Sequence, residues 1–358
     1  MRQRVLIEAL AGICLAAAVF SGCATVQPAQ EAAVPVFYPQ PPGQPRLQLL
    51  AGFSSSSDLT GRPGWFKRFV VGEPEDRPIV KPYGFDFWED QLYVCDTVLA
   101  GLVVLDFGTK AFRYVSPSGP GRLVKPINLA IDENGTKYIA DAGRGEVVIL
   151  DRQDRFAGTL ARQPGLRPTD VAIDGDRLLV AELKNKCVEV WDRASRRYLF
   201  SIPAGAPASA EARLFSPANV AVDREGNLFV SDLGAFRVAE FDREGRFLRS
   251  FGSQGDAPGQ FARPKGLDLD DEGRLYVVDA AAEVVQIFDR QGNLLLFFGQ
   301  PEAGVAPLSL PAKVRLNTSL LPYFERLADP SFALEYLVFV SSQYGERKIS
   351  VFGFGASK

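Results

Sequence analysis

A repeated pattern is clearest in PKGLDLDDEGRLYVVD at residues 264–279, where an opening proline precedes two apolar segments joined by a glycine-containing turn. Residues 217–232, PANVAVDREGNLFVSD, have the same pattern, and so does PINLAIDENGTKYIAD at 126–141. Alternating apolar residues on either side of a short polar turn are typical of a β-hairpin. A third apolar segment follows each hairpin and ends at an aspartate ten residues after the hairpin's last acid.

The same phrase occurs five times, with two shorter copies at 82–96 and 168–182. The opening prolines lie 44, 42, 49 and 47 residues apart, at Pro82, Pro126, Pro168, Pro217 and Pro264. A sixth, altered copy opens at Pro311, another 47 residues on, and has Ser342 where the other copies have an acid. Periods of this length are typical of repeat architectures, so the chain is predicted to contain six structural repeats.

Each repeat supplies three strands and a connecting fourth, and so small a sheet cannot cover both of its faces alone. Stacking the copies radially predicts an all-β, six-bladed β-propeller over residues 46–358, with blades from 80 to 354. A lone strand, RLQLLAGF at 46–53, precedes the first copy, and the last copy ends after its third strand. Pairing the two would close the ring, whereas an open solenoid would leave both sheet edges exposed.

Two insertions interrupt the repeats. Residues 58–72 and 317–336 each have the apolar spacing of a short helix, and each is predicted to pack on the propeller or to contact a membrane or a partner. Cys95 and Cys187 fall in non-adjacent repeats, too far apart for a disulfide. They are therefore predicted to be buried free thiols.

Composition excludes several classes of function. The chain contains no histidine, which removes the commonest general base and the commonest zinc ligand. It has 40 basic and 43 acidic residues, without the basic excess or basic stripe that is usual in nucleic-acid binding. Nucleic acid is therefore not expected among the partners, while carboxylate and calcium chemistry stay open.

The N-terminus reads as an export signal over residues 1–22. Arg2 and Arg4 form a positive start, and an apolar run follows from 9 to 20. This run is too short to span a bilayer stably, so it is predicted to be a cleaved signal peptide and not a membrane anchor.

A lipid anchor is predicted at the end of this signal. Phe-Ser-Gly-Cys at 20–23 resembles the lipobox of bacterial lipoproteins, which implies that Cys23 is acylated and becomes the mature N-terminus; an ordinary cleaved signal is the alternative. Ala24 after the cysteine implies sorting to the bacterial outer membrane. The proline-rich residues 23–45 predict a tether between the lipid and the propeller.

The repeat resembles the NHL family, whose motif runs Pro-x-Gly-Val-Ala-Val-Asp, then Gly-x-(Leu/Val)-Tyr-Val-x-Asp, and later an apolar strand ending in Phe-Asp. The match covers about 82–300 well and 311–354 in part, while the family's Asn-x-Arg block survives only as Asn185 and Arg237. The chain also resembles a group of uncharacterised bacterial propeller lipoproteins. The NHL resemblance implies a protein-binding or RNA-binding module, an extracellular sensor or, in a few cases, a lyase or lactonase.

In propellers of this family, the two residues after each opening proline lie at the mouth of the central channel. Tyr83 and Lys265 occupy the first position, where related calcium-dependent lactonases carry Asn and Asp ligands. No residue at this position is a carboxylate or an amide, so no metal and no other cofactor is predicted. At the second position Asn128, Asp170 and Asn219 replace the family's glycine. They predict either local turn chemistry or a polar cluster that holds water, a cation or a partner's side chain.

The loops after the second strand of each repeat belong to the same rim and are unusually apolar. They carry the candidate partner-binding residues Leu99, Arg144, Lys184, Leu233 and Phe236. Apolar side chains edged by basic ones are typical of protein contacts; the alternative is that they fold back onto neighbouring blades. The acids that end the second and third strands are predicted to accept backbone hydrogen bonds and not to catalyse.

These observations predict a monomeric, membrane-anchored propeller that scaffolds or recruits another exported protein of the bacterial envelope. A rival prediction is a calcium-dependent lactonase or lyase that uses Asp170 and neighbouring amides. A third is a sensor that binds a small glycan or peptide in the channel. Binding is favoured because rigid rims lose little entropy when a partner docks.

Overall fold

The computed structural model describes residues 35–61, 75–205, 209–301 and 307–358. These residues form six small antiparallel sheets, which confirms the predicted all-β propeller of six blades. The predicted signal peptide, Cys23 and most of the predicted insertion at 58–72 lie outside the described residues.

The first two strands, β1 (Val36–Tyr38) and β2 (Leu47–Phe53), belong to the last blade. Blade one contains β3 (Pro82–Trp88), β4 (Gln91–Asp96), β5 (Gly101–Asp106) and β6 (Ala111–Val115). Blade two contains β7 (Pro126–Ile131), β8 (Lys137–Asp141), β9 (Glu146–Leu150) and β10 (Phe156–Leu160). Blade three contains β11 (Pro168–Asp174), β12 (Arg177–Glu182), β13 (Cys187–Asp192) and β14 (Arg197–Ile202).

Blade four contains β15 (Pro217–Val222), β16 (Leu228–Asp232), β17 (Arg237–Phe241) and β18 (Phe247–Phe251). Blade five contains β19 (Pro264–Leu269), β20 (Leu275–Asp279), β21 (Val284–Phe288) and β22 (Leu294–Phe298). Blade six is completed by β23 (Pro311–Asn317), β24 (Phe332–Ser342) and β25 (Ile349–Ser357).

The ring closes as the sequence predicts, because β2 pairs with β25 from Leu47↔Phe354 to Phe53↔Ile349. β1 adds to the outer edge of β2, so the propeller starts earlier than the predicted residue 46. The sequence analysis assigned β1 to the tether because prolines flank it. Tyr38 is nevertheless buried against the rings of Phe298 and Phe352, with centroids 6.1 and 6.0 Å away. This packing fixes the short strand to the sheet.

The innermost strands β3, β7, β11, β15, β19 and β23 each contact the next strand around the channel. Two of these approaches require glycine. A Cβ on Gly266 would lie 2.4 Å from the Cα atom of Lys313, and a Cβ on Gly84 would lie 1.5 Å from Oδ1 of Asn128. A backbone neighbour cannot move aside easily, so β19 and β23 fit together only with glycine at 266.

Apolar side chains fill the spaces between blades. Between blades six and one, Phe107 packs edge-to-face on Phe324, and Phe324 packs the same way on Phe339, with centroids 5.4 and 5.7 Å apart. Phe324 ends the short helix α2 (Leu321–Phe324), which a 3₁₀ turn at Glu325–Leu327 continues. The other helix in the described part, α1, spans Ser56–Thr60. The helix α2 therefore contributes to the core of the ring.

In blades one to five, a buried acid at the end of the second strand holds two loops in place. The Asp141 carboxylate accepts hydrogen bonds of 2.7–3.0 Å from the backbone N–H groups of Val124, Lys125, Gly143 and Arg144. The acids that make corresponding bonds in other blades are Asp96, Glu182, Asp232 and Asp279. This confirms the predicted role of these acids as backbone acceptors.

The acids that end the third strands stabilise turns, as predicted. The carboxylate of Asp151, for example, accepts from the backbone N–H groups of Gln153 and Arg155 at 2.9 Å. Cys95 and Cys187 are both buried and free, which confirms their prediction as unpaired thiols. Burial raises the pKa of the Cys187 thiol to about 11. Among the described residues, no helix has the length and apolar character needed to cross a membrane.

One end of the propeller gathers the opening prolines and the loops between the second and third strands. In blade one, the N–H of Thr97 in that loop donates to the carbonyl of Lys81, just before Pro82, over 3.1 Å. We call this end the proline face; it consists of the starts of the innermost strands, the segments that lead into them and these loops. The turns after the innermost strands lie at the opposite end.

Candidate binding site at the channel mouth

Lys265 and Tyr83 meet at the mouth of the channel on the proline face. The Lys265 Nζ donates a 2.6 Å hydrogen bond to the Tyr83 hydroxyl and lies 4.4 Å from the centroid of its ring. Lys265 begins blade five and Tyr83 begins blade one, so their contact spans the start of blade six, where Ala312 leaves room. The structure thus brings together two residues that the sequence analysis selected separately.

Burial governs the ionisation of this pair. Burial, together with the positive charges of Arg263 and Lys81, lowers the pKa of Lys265 to about 8. Burial also raises the pKa of Tyr83 to about 12, a shift that Arg263 opposes and the charge of Asp170 reinforces. Lys265 is only 4% exposed, so its ammonium group lacks most of the water that would otherwise stabilise its charge.

Asp170 and Asn219 form a polar cluster next to this pair. Oδ2 of Asp170 accepts from the Asn219 side chain at 2.9 Å, from the Val220 N–H at 3.0 Å and from Nζ of Lys313 at 2.9 Å. Lys313 reaches Asp170 from the blade opposite, because blades three and six face each other across a ring of six. The structure therefore favours the predicted polar cluster over isolated turn chemistry.

Asn128 belongs to the same level of the channel. Its side-chain amide donates to the carbonyl of Thr169 at 2.9 Å, which links blade two to blade three. Its Oδ1, like Oδ1 of Asp170, is buried and has no hydrogen-bond partner among the described residues. Two such buried acceptors are expected to bind water, because a buried acceptor without a donor is costly.

A second charged level lies deeper in the channel. Arg315 of blade six contacts the Asp86 carboxylate at 2.8 Å and the Asp268 carboxylate at 3.8 Å. Asp86 also accepts from the backbone N–H of Ile131, and Asp268 from that of Leu316. The two acids thus connect neighbouring innermost strands while Arg315 balances their charge.

Sequence reasoning did not select Lys313 and Arg315, although they are the cations that the channel carboxylates bind. Both residues lie in blade six, whose sequence departs most from the repeat, so the repeat pattern alone did not indicate their role as partners of the channel acids. Aligning the second residue after each opening proline places Lys313 level with Asp170, and a ring of six sets them opposite each other. Within the described residues, no group of three or more carboxylates or thiolates is placed to hold a metal ion.

The loop residues that the sequence analysis selected divide into two groups. Leu99 and Phe236 pack against the cores between blades, and Arg144 donates to the carbonyls of Pro120 and Arg122, at 2.6 and 2.8 Å. For these three, the alternative of side chains folding back on the protein describes the structure better. Leu233 is half-buried and Lys184 is exposed, so both remain accessible to a partner.

Other apolar side chains on the proline face are exposed, and of these Val98 belongs to the apolar loops already selected from the sequence. They are 46% to 60% exposed and comprise Val98, Val124, Phe215 and Tyr344. Val124 and Phe215 stand two residues before an opening proline, a position that the repeat alignment shows but that the loop sequences alone do not.

Solved structures share this fold at low sequence identity. A Bacteroides thetaiotaomicron protein of unknown function aligns with a TM-score of 0.58 and 12% identity, over 86% of this chain and 75% of that one. A streptogramin B lyase aligns with a TM-score of 0.53 and 12% identity, over 78% of this chain and 85% of that one. At such identities the similarity shows the β-propeller fold alone.

A Staphylococcus aureus virginiamycin B lyase, solved with quinupristin, aligns with a TM-score of 0.53 and 10% identity, over 77% of this chain and 96% of that one. That lyase is a catalytically inactive variant in which one histidine is replaced by alanine. The present chain has no histidine at any position. No protein-family model and no curated protein matches the sequence, so the NHL resemblance stays a prediction from its motifs.

Proposed function

We propose that this protein is a lipid-anchored, non-catalytic propeller of the bacterial envelope that holds another exported protein on its proline face. The observation that carries the proposal is the composition of that face, where exposed apolar side chains stand among basic ones. Such a mixture is typical of surfaces that bind proteins.

The rigidity of the loops supports binding. In blades one to five the buried acids fix the proline-face loops through several backbone hydrogen bonds, so little conformational entropy is lost when a partner docks. The channel supports the same interpretation, because the Asp170 carboxylate contacts Lys313 at 2.9 Å and the Asp86 carboxylate contacts Arg315 at 2.8 Å. An acid already neutralised in this way is poorly placed to serve as a general base.

The enzyme alternative would use Asp170 with calcium. Lys313 lies 2.9 Å from Asp170, so a cation at this carboxylate would have to displace the lysine. The similarity to the lyase supports the fold alone, and this chain has no histidine to match the one that is replaced in the inactive lyase variant. We therefore place the enzyme second to the binding function.

Site-specific photo-cross-linking in living cells tests the proposal. We expect a photoreactive phenylalanine analogue at Phe215 or Tyr344 to cross-link one defined envelope protein. Leu248 and Leu295 are matched controls, because they are equally exposed but lie on outer strands, and they should give no such product. Equal products at all four positions, or none at Phe215 and Tyr344, would refute binding at the proline face.

The anchor needs its own test, since it concerns residues beyond the propeller. We expect wild-type protein to incorporate labelled palmitate and to fractionate with the outer membrane. The Cys23→Ser variant should lose both properties while its propeller folds normally. Label retained in this variant would disprove acylation at Cys23.

A further inference from the structure

We propose that the proline face binds an acidic segment of its partner protein, with one carboxylate of that segment contacting Lys265 at the channel mouth. This inference rests on the proposed function and specifies the chemistry of the partner. Its basis is a set of basic side chains that form no ion pair within the described part of the protein.

Four blades carry a basic residue immediately before the opening proline, namely Lys81, Lys125, Arg167 and Arg263. We call these four residues the basic ring. The backbone of each residue is tied into its own blade, because its N–H group donates to the buried acid and its carbonyl accepts from the loop after the second strand. Of the side chains, that of Lys81 donates to the Tyr344 hydroxyl at 2.9 Å. Ser216 in blade four makes the same backbone bond with a neutral side chain. The basic side chains are therefore not needed to build the blades.

The charges of the basic ring are not balanced by acids nearby. In the part of the chain that the structure describes, no side-chain carboxylate forms an ion pair with any member of the ring or with Lys265. The opposite end of the propeller differs, since Arg193 there pairs with Glu133 and Arg274 pairs with Asp270. The basic ring and Lys265 thus place unpaired positive charge on the proline face, which favours an anionic partner.

Lys265 lies near two members of the basic ring, Arg263 and Lys81, and has unused hydrogen-bonding capacity. Its ammonium group has three donors, and the Tyr83 hydroxyl is its one partner within the described residues. Arg263 and Lys81 face it with positive charge, while the Asp170–Lys313 pair lies next to it with its charges balanced. A carboxylate at Lys265 would accept its free donors and relieve the repulsion of its neighbours.

The shape of the site favours a protein segment over a lipid surface or a nucleic-acid backbone. Lys265 is buried while Arg263 is exposed, so the lysine is recessed behind the basic ring. A projecting glutamate or aspartate side chain can reach a recessed group more easily than a flat array of phosphates. The exposed Val124 and Phe215 beside the ring add the apolar contacts that are typical of protein interfaces.

Binding of a fluorescein-labelled hexaglutamate peptide to the full-length protein tests this site, measured by fluorescence anisotropy at low ionic strength. We expect both Lys265→Met and Arg263→Ser to weaken binding by about tenfold, as for loss of one charged contact. Arg263 is exposed, so its variant stays informative if Lys265→Met fails to fold. The matched control is Arg152→Ser, an exposed arginine at the opposite end, which should change binding less than twofold, or about 0.4 kcal/mol.

Wild-type binding should also weaken as the pH rises through about 8, where Lys265 loses its proton. Tyr83, with a pKa of about 12, keeps its proton over this range. The Lys265→Met variant should lack this pH dependence. Equal losses for Arg152→Ser and Arg263→Ser, or a wild-type profile that is flat through pH 8, would overturn the proposal.

Two further comparisons separate the proposals from their competitors. Phosphatidylglycerol vesicles and a single-stranded RNA serve as competing ligands. If either binds through Lys265 and Arg263 more tightly than hexaglutamate, the ligand of this site is a lipid or a nucleic acid and the acidic segment is refuted. A cross-linked partner that is insensitive to Lys265→Met and Arg263→Ser would refute the acidic contact and leave the binding function standing. Hexaglutamate binding without any cross-linked partner would refute the binding of another envelope protein and leave the acidic contact at Lys265 standing.

Discussion

Replacing Lys265 by methionine should stabilise the propeller at neutral pH, because the buried ammonium group costs free energy in the folded state. In the unfolded chain this lysine titrates near 10.5, whereas in the folded protein its pKa is about 8. Between these values the unfolded state binds more protons, so the stability of the wild-type protein should rise with pH. Methionine has a similar length and carries no charge.

The magnitude follows from the change in pKa. A drop from 10.5 to about 8 corresponds to about 3 kcal/mol, at about 1.4 kcal/mol for each pKa unit. The variant also loses the hydrogen bond to Tyr83 and the contact with its ring, together worth about 1–2 kcal/mol. We therefore expect Lys265→Met to raise the free energy of unfolding by about 1–2 kcal/mol at pH 7. This advantage should shrink as the pH rises above 8 and should be lost before pH 10.5, because the wild-type lysine is then neutral in the folded state and no longer carries the penalty of a buried charge.

Urea unfolding followed by tryptophan fluorescence, for both proteins and at several pH values, measures this difference. All other titrating groups are common to the two proteins, so the difference between them isolates Lys265. A variant that is less stable than the wild-type protein at pH 7 would refute the reasoning. So would a difference in unfolding free energy that stays constant between pH 7 and pH 10.

Three other substitutions test the architecture. Asp141→Ala removes the acceptor of four backbone N–H groups and should lower the unfolding free energy by about 3 kcal/mol or more, whereas Asp151→Ala in an exposed turn should lower it much less. Equal losses for the two variants in urea unfolding would contradict the assigned role of Asp141. Asp170→Asn leaves the buried Lys313 without a carboxylate and should lower the unfolding free energy by about 3 kcal/mol, much of which the added Lys313→Met should restore. Additive effects of the two substitutions in a double-mutant cycle would rule out the pairing. Gly266→Ala forces β19 away from β23 and should lower the unfolding free energy by about 2–3 kcal/mol, whereas the control Gly108→Ala, beside movable side chains, should have a mild effect. A Gly266→Ala variant with unchanged thermal stability would argue against the close approach.

The repeat made the architecture predictable. A proline, a hairpin and two acids in fixed positions mark the ends of three strands, and six copies with complementary ends predict a closed ring. The strand β1 was missed because it has only three residues between prolines, and its stability comes from Tyr38 packing on residues more than 250 positions away. A local pattern cannot reveal such a contact.

The candidate site was predictable in position and less so in its pairings. The residues after the opening prolines were selected because the family places them at the channel, and the structure places Tyr83, Lys265, Asp170 and Asn219 there. Which of them touch depends on the number of blades and on side-chain length. Only a ring of six puts Asp170 opposite Lys313, and only a side chain as long as lysine can reach from blade five to blade one.

The basic ring illustrates why charge runs are a poor guide in a repeat protein. Each blade contributes one residue to the face, so basic residues that are neighbours around the ring lie some forty or more positions apart in sequence. The near-neutral composition and the lack of a basic stripe therefore say little about the charge of any one face. Composition was the first argument against nucleic acid as a partner. The structure supplies a different argument, namely that Lys265 is recessed and has apolar side chains around it. If single-stranded RNA competes with hexaglutamate for Lys265 and Arg263, this second argument fails as well.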